Sequence, residues 1–235
     1  MRAVTFDYWN TIVRADADQG SHRRRAWQVE YASAGHAVGD DALRAAFSSV
    51  WARHHAAWLR NEQFTGEQAA AEAVDLVGVP VDEPTRQRLV ERFLTVGEEA
   101  GFGLCEGVAE VLDDLHARGV RLGIVCDVGF TPSPVLRRIL ERFDLLRYFR
   151  GWSFSDEVGR YKPAPEIFWH ALGYLGVPAN EAAHVGDLRR TDVAGARAMG
   201  MTAIRYRGAN DDAGDGPEAD HVLDHHAALP AALAL

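Results

Sequence analysis

The chain has 235 residues, 47% of them hydrophobic, and a formal net charge of −9. That length holds one large domain or a core with an insert, and the apolar share is enough for a buried interior. The negative balance argues against a nucleic-acid backbone as a general partner. Two cysteines, Cys105 and Cys126, make no disulfide framework and suit a reducing cytoplasm. No stretch reaches the ~20 apolar residues of a membrane helix. The N-terminus has no charged region ahead of a long apolar one, so the expectation is a cytoplasmic chain without a signal peptide.

In chain order, the apolar run Ala3–Phe6 reads as a first strand. Positions 14–100 then carry only helical patterns, punctuated by Gly35, Gly66 and Pro80, and predict roughly four helices. One stripe in this span is Leu43, Phe47, Val50, Trp51, His54 and Trp58; another is Leu89, Phe93 and Val96. From about residue 103 short apolar runs alternate with helical periods. Val108, Val111, Leu112 and Leu115 predict a helix that Gly119 stops, and Leu122–Cys126 predicts a strand. Val135, Leu136, Ile139 and Leu140 predict a helix opened by Pro134, followed by a weaker strand at Trp152–Phe154. Pro165 opens a helix ending near Gly176, and Ala183–Val185 is a strand that ends at Gly186. A helix from about Thr191 to Met199 leads to a strand at Thr202–Tyr206, and the Gly- and Asp-rich stretch Gly208–Gly216 reads as a mobile loop. The alternation predicts an α/β fold, a doubly wound, Rossmann-like parallel sheet core (1–13 and 101–235) with an inserted α-helical cap (14–100).

Four short motifs fall at strand ends, where such sheets place their chemistry. Strand one runs into Asp7-Tyr8-Trp9-Asn10-Thr11, and the second core strand into Cys126-Asp127-Val128-Gly129. A later strand runs into Gly186-Asp187, with Asp192 five residues on. The fourth piece holds the only lysine among 25 basic residues, Lys162, followed by Pro163. Lysine is a compact point charge that fits beside a carboxylate or phosphoryl oxygen, which arginine's wide fork does less well. Taken singly, an aspartate after a strand is more often a turn or helix cap.

Together these motifs resemble the haloacid dehalogenase superfamily with a helical (C1-type) cap. The counterparts are Asp7 to Thr11, Cys126, Lys162 with Pro163, and Gly186-Asp187 to Asp192. The resemblance implies a hydrolase that works through a covalent ester on Asp7. It further implies Mg2+ held by Asp7, the backbone carbonyl of Trp9 and Asp187, with Asp192 orienting the water shell or Lys162. Lys162 would neutralise the nucleophile and the transferring oxygens. The implied substrate is a small phosphorylated metabolite.

Two motifs depart from the pattern. Trp9 stands where the family's phosphatases carry the aspartate that protonates the leaving alcohol, a role indole cannot fill. Cys126 replaces a hydroxyl, and a thiol is a weaker donor to a phosphoryl oxygen. Asp127 is a candidate to take over proton transfer, and Thr131 to supply the lost hydroxyl; Cys126, Asp127, Thr131 and Lys162 form the candidate phosphate-binding set. Because a halide leaves without a proton, Trp9 also fits a 2-haloacid dehalogenase. Retention of Asp187 and Asp192 argues for a metal and hence for the phosphatase. A phosphate-ligand binding protein without catalysis is the third reading. Trp51, Arg53, His54, His55 and Trp58, with His22 and Arg23 to Arg25, are candidates for substrate choice should they face the substrate.

Overall fold

A computed structural model describes residues 1–15, 19–98 and 101–235. Positions 16–18 and 99–100 of the expected cap lie outside the described residues. The strands are β1 (Ala3–Phe6), β2 (Val13–Ala15), β3 (Phe102–Leu104), β4 (Arg121–Cys126), β5 (Phe149–Phe154), β6 (Ala182–Gly186), β7 (Thr202–Tyr206) and β8 (His221–Leu223). Six of them form one sheet in the order β5-β4-β1-β6-β7-β8. Every adjacent pair is parallel.

β1 is therefore central, paired with β4 from Ala3 opposite Arg121 and with β6 from Ala3 opposite Ala182. All four of its residues are buried, as a parallel strand covered on both faces requires. Crossover helices supply the cover; Ile167, Phe168, Ala171, Leu172 and Leu175 of the Pro165–Leu175 helix pack with Ala3, Val125 and Ala182. The carboxyl ends of β1, β4 and β6 lie side by side, and Asp7, Asp127 and Asp187 directly follow them.

The chain divides into two compact units. The first comprises Met1–Arg14, Phe102–Asp127 and Leu140–Leu235; the second comprises Ala15–Gly101 and Val128–Ile139. The second unit carries α1 (Gln19–Ser33), α2 (Asp40–Leu59), α3 (Gly66–Val77) and α4 (Glu83–Thr95). α3 opens on a capping box, Thr65 with Gln68, and α4 on Asp82, whose carboxylate accepts from the Thr85 N–H at 3.0 Å. Trp27, Tyr31, Leu43, Val50, Leu89 and Phe93 fill its core. Val128–Ile139 belongs with these helices because Phe130 inserts its ring beside Trp51, His54 and Phe93, at 4.9–5.3 Å between centroids.

Local structure differs from the sequence reading in several places, among them β8, where no strand was read. β2 and β3 pair as a small separate sheet; three-residue strands carry too little periodicity to be read. The expected helix from Thr191 begins as a wide π-type turn over Arg189–Val193 and is α-helical only across Ala194–Ala198. Trp51, expected on the buried stripe of α2, is 56% exposed.

Candidate active site

Lys162 is the hub of the first unit's polar interior. Its side chain is 2% exposed. The ammonium donates to Asp7 Oδ1, to Asp192 Oδ1 at 2.7 Å and to the Val125 carbonyl at 3.0 Å, which uses all three of its hydrogens. Its loop is pinned from below, since Asp127 Oδ1 accepts the Lys162 backbone N–H at 2.9 Å.

Asp192 is held at both oxygens. Oδ1 accepts from Lys162 and from His184 Nε2 at 2.9 Å, and Oδ2 accepts from the Leu188 N–H at 3.1 Å. His184 in turn meets Thr5 Oγ1 through Nδ1 at 2.9 Å. The wide turn after β6 brings Asp192 back over the strand end, where only glycine fits: a Cβ on Gly186 would lie 2.2 Å from the Asp192 carboxyl carbon. Asp187, at the same strand end, accepts at Oδ2 from Asn210 Nδ2 at 2.6 Å.

Ligand oxygens from Asp7, Asp187 and Asp192 lie within 4.8 Å of one another, and all three residues are buried. One ammonium faces three carboxyl groups, so the cluster is short of positive charge. Protonation behaviour follows. Burial, with the nearby charges of Asp192 and Asp187, pushes the Asp7 carboxyl well above its ordinary range despite Lys162. Burial and the Asp192 charge push Asp187 up to about 7. Burial opposes ionisation of Asp192 too, but Lys162 and His184 outweigh it and hold its carboxyl well below the usual range. Burial likewise opposes the Lys162 charge, and Asp192 and Asp7 outweigh it and raise its pKa.

This donor set fits a hard divalent cation: it offers oxygen alone and lacks positive charge. Asp7 and Asp187 are the better suited ligands, because both Asp192 oxygens are already engaged.

The remaining sequence candidates separate. Cys126 is fully buried at the end of β4, and burial, with the Asp7 charge, keeps its thiol protonated. Trp9 turns its indole against Tyr8 and Phe102, with centroids at 4.9 and 5.8 Å. Thr131 belongs to the second unit, where its hydroxyl accepts from Arg23 Nη2 at 3.1 Å. His54 is buried in α2, its Nδ1 3.2 Å from the Phe64 carbonyl, and so serves packing. His55 is exposed, while Trp58 and His22 are half-buried. Arg53 pairs with Glu72, Arg24 pairs with Asp40 at 2.8 Å, and Arg25 is exposed.

Sequence reasoning missed His184 and Asn210. His184 lies inside a strand, where a lone histidine gives no signal. Asn210 lies in the segment read as a mobile loop, which is laced down instead: Asp212 Oδ2 accepts the Arg189 N–H at 2.7 Å, and Asp211 pairs with buried Arg205 at 2.7 Å.

The sequence profile of the haloacid dehalogenase-like hydrolases matches residues 1–200. The chain belongs to that family. Among its relatives, the phosphoglycolate phosphatase of Salmonella paratyphi A is 30% identical over 149 residues, covering 63% of this chain and 58% of the relative. The chain thus spans less than two thirds of the length of that relative. A solved 2-haloacid dehalogenase from Pseudomonas syringae pv. Tomato is 25% identical, with a TM-score of 0.72 over 100% of this chain and 98% of that one. A solved haloacid dehalogenase-family phosphatase from Thermococcus onnurineus, 24% identical, shares the fold with a TM-score of 0.68 over 99% of this chain and 98% of that one.

Proposed function

We propose that this haloacid dehalogenase-like hydrolase is a Mg2+-dependent phosphatase of a small phosphorylated metabolite. The observation that carries the reading is the sole lysine locked between Asp7 and Asp192 while Asp187 leaves the cluster short of positive charge. A structure built for packing alone gains little from three buried carboxyl groups around one ammonium.

In this reading an Asp7 oxygen attacks phosphorus, the alcohol leaves, and an aspartyl phosphate forms. Water then attacks the phosphorus, releasing phosphate and restoring Asp7. Asp7 and Asp187, with the carbonyl of Trp9, would hold Mg2+, and the ion would supply the positive charge that lets a carboxylate meet an anionic phosphoryl group. Lys162 orients Asp7 and neutralises the transferring oxygens; Asp192 and His184 keep Lys162 in place. Asp127 is assigned the leaving-group proton, since Trp9 has none to give. An Asp127→Asn enzyme with undiminished turnover removes that assignment. Phosphoglycolate is a candidate substrate on the strength of the 30% identical relative.

The deciding assay is phosphate release from a metabolite panel that includes phosphoglycolate, with and without Mg2+, using Asp7→Asn as the blank. Release that requires both Mg2+ and Asp7 supports the reading; no release from any ester refutes it. Trp9 favours one alternative, a 2-haloacid dehalogenase in which Asp7 attacks carbon and expels halide. Chloride release from 2-haloacids that survives a chelator is its signature.

A further inference from the structure

Arg205 is a charged side chain inside the sheet. It lies on β7 opposite Gly186 of β6, and its side chain is 3% exposed. Its strand neighbours Ala203, Ile204 and Tyr206 are buried. An apolar residue would fill that place without the cost of burying a guanidinium. The guanidinium reaches two carboxylates, both exposed. Nη1 donates to Asp211 Oδ1 at 2.7 Å, and Nε and Nη2 donate to Glu218 at 2.9 and 3.2 Å. A buried cation is thus spent on two surface acids that flank one stretch of loop.

That stretch, the strap 207–220, carries three consecutive side chains to three different places. Asn210 Nδ2 donates to Asp187 Oδ2 at 2.6 Å, Asp211 accepts from Arg205, and Asp212 Oδ2 accepts the Arg189 N–H at 2.7 Å. At its far end Glu218 also accepts from Arg189 Nη2 at 2.8 Å, and the Glu218 carbonyl accepts from Arg197 Nη1 at 2.7 Å. Gly216 lies against the turn itself, since a Cβ there would be 2.9 Å from the Arg189 carbonyl carbon. The strap therefore closes over Asp187 and over the start of the wide turn that returns Asp192.

Loop packing by itself accounts for the bonds to Arg189 and Arg197. It does not account for an amide aimed at a carboxylate oxygen of the cation site. Asn210 is the chain neighbour of Asp211, so an anchor on Asp211 limits where that amide can go. The anchor is strong where it matters, because its arginine end is buried and held in the sheet beside the end of β6.

We propose that Arg205 is a positioning residue: through Asp211 it holds the Asn210 amide on Asp187 Oδ2, and so fixes the geometry of the cation site without touching the cation. The effect on the cation rests on the Mg2+ reading above; the placement of the amide does not.

The first measurement needs no metal. In chelator-containing buffer, solvent exchange of the Asn210 side-chain amide is followed by nuclear magnetic resonance, the signal being identified by its loss in Asn210→Ala. Arg205→Met speeds that exchange by at least about tenfold, and Asp211→Ala does so by a smaller factor. Asp211→Asn, which keeps an acceptor for Arg205 Nη1, restores most of the protection. Exchange in Arg205→Met equal to that of the wild type overturns the proposal. So does equal acceleration in Arg207→Gln, because Arg207 belongs to the same strap but pairs with Asp224. Should Arg205→Met not fold, Asp211→Ala decides on the same criterion.

The second measurement is calorimetric titration with Mg2+. Arg205→Met weakens binding by about tenfold, and by no more than Asn210→Ala does, because the effect passes through the amide. In the Asn210→Ala background, Arg205→Met produces no further loss. Additive losses assign Arg205 to general packing and overturn the proposal. A wild type that binds no Mg2+ fails the metal reading, and the exchange measurement still decides the placement.

Discussion

Replacing Lys162 with methionine keeps the length of the side chain and removes one charge, which isolates what that charge does. The ammonium makes three hydrogen bonds, two of them to carboxylates, at a position 2% exposed. Removing one partner of a buried ion pair costs about 3–5 kcal/mol, because the other is left charged and unsolvated. Asp7 relieves part of this by taking a proton, which its raised pKa already favours. The expected loss at pH 7 is therefore near the low end, about 3 kcal/mol, or roughly 6–12 °C in Tm for a unit of this size. The sign with pH follows. Without Lys162 the folded carboxyl groups hold protons that the unfolded chain releases, so the variant gains stability relative to the wild type as pH falls from 7 to 5. The assay is chemical denaturation of both proteins at pH 7 and pH 5 in the presence of a chelator, followed by tryptophan fluorescence. A variant as stable as the wild type at pH 7, or a difference that does not narrow at pH 5, refutes the charge accounting on which the site is built.

Other perturbations test separate parts of the same geometry. Asn210→Ala removes the amide that holds Asp187 Oδ2, and outer-shell losses of this kind weaken metal binding by about 10–100-fold; titration calorimetry with Mg2+ reads it, and unchanged affinity assigns Asn210 to loop packing. Trp9→Asp places a second acid at the motif position; with Asp127 already supplying the leaving-group proton, kcat on an alkyl phosphate is expected to change by only a few-fold, and a rise of about 10²-fold or more refutes the Asp127 assignment. His226 is fully buried, donates through Nε2 to the Thr11 carbonyl at 2.8 Å and stacks on Tyr206, and burial lowers its pKa to about 4. The unfolded chain binds that proton first, so stability falls as pH drops from 6.5 to 4. The stability advantage of wild type over His226→Gln should shrink by about 3 kcal/mol across that window in denaturation curves.

The parts of the fold that were legible share a physical cause. β1, β4, β6 and β7 are short, mostly apolar runs, and the stripes with Leu43 and Val50 and with Leu89 and Phe93 fall on the buried faces of α2 and α4, so burial had written them into the composition. Asp7 and Asp187 were legible because each directly follows a strand, Lys162 because it is the sole lysine ahead of a helix, and Asp192 by its spacing from Asp187; the fold brings the three aspartates and the lysine together. Asn210 and His184 were not, since each acts through a neighbour fixed by tertiary packing. Asp127 was read as a proton-transfer and phosphate-binding candidate at the end of a strand. Its hydrogen bond to the Lys162 N–H depends on where a loop 35 residues away returns to the sheet, and no local pattern encodes that return.

Trp9 and the acidic trio pull the chemistry in opposite directions, and the hydrogen bonds indicate which constraint is the stronger. The indole is held by two ring contacts, with Tyr8 and Phe102, which any aromatic could make. The trio is held by a chain that runs from Thr5 through His184 and Asp192 to Lys162 and Asp7, with Asn210 on the flank and Gly186 kept bare of a side chain so that Asp192 can close. A halide-releasing site needs the attacking carboxylate and a cation; it has no use for Asp187 pushed up to about 7 beside an ionised Asp192. That pairing is unfavourable by itself and becomes favourable only when further positive charge enters the cluster. The charge imbalance among Asp7, Asp187 and Asp192, rather than the identity of residue 9, is therefore the feature that weighs phosphoryl transfer over carbon–halogen cleavage.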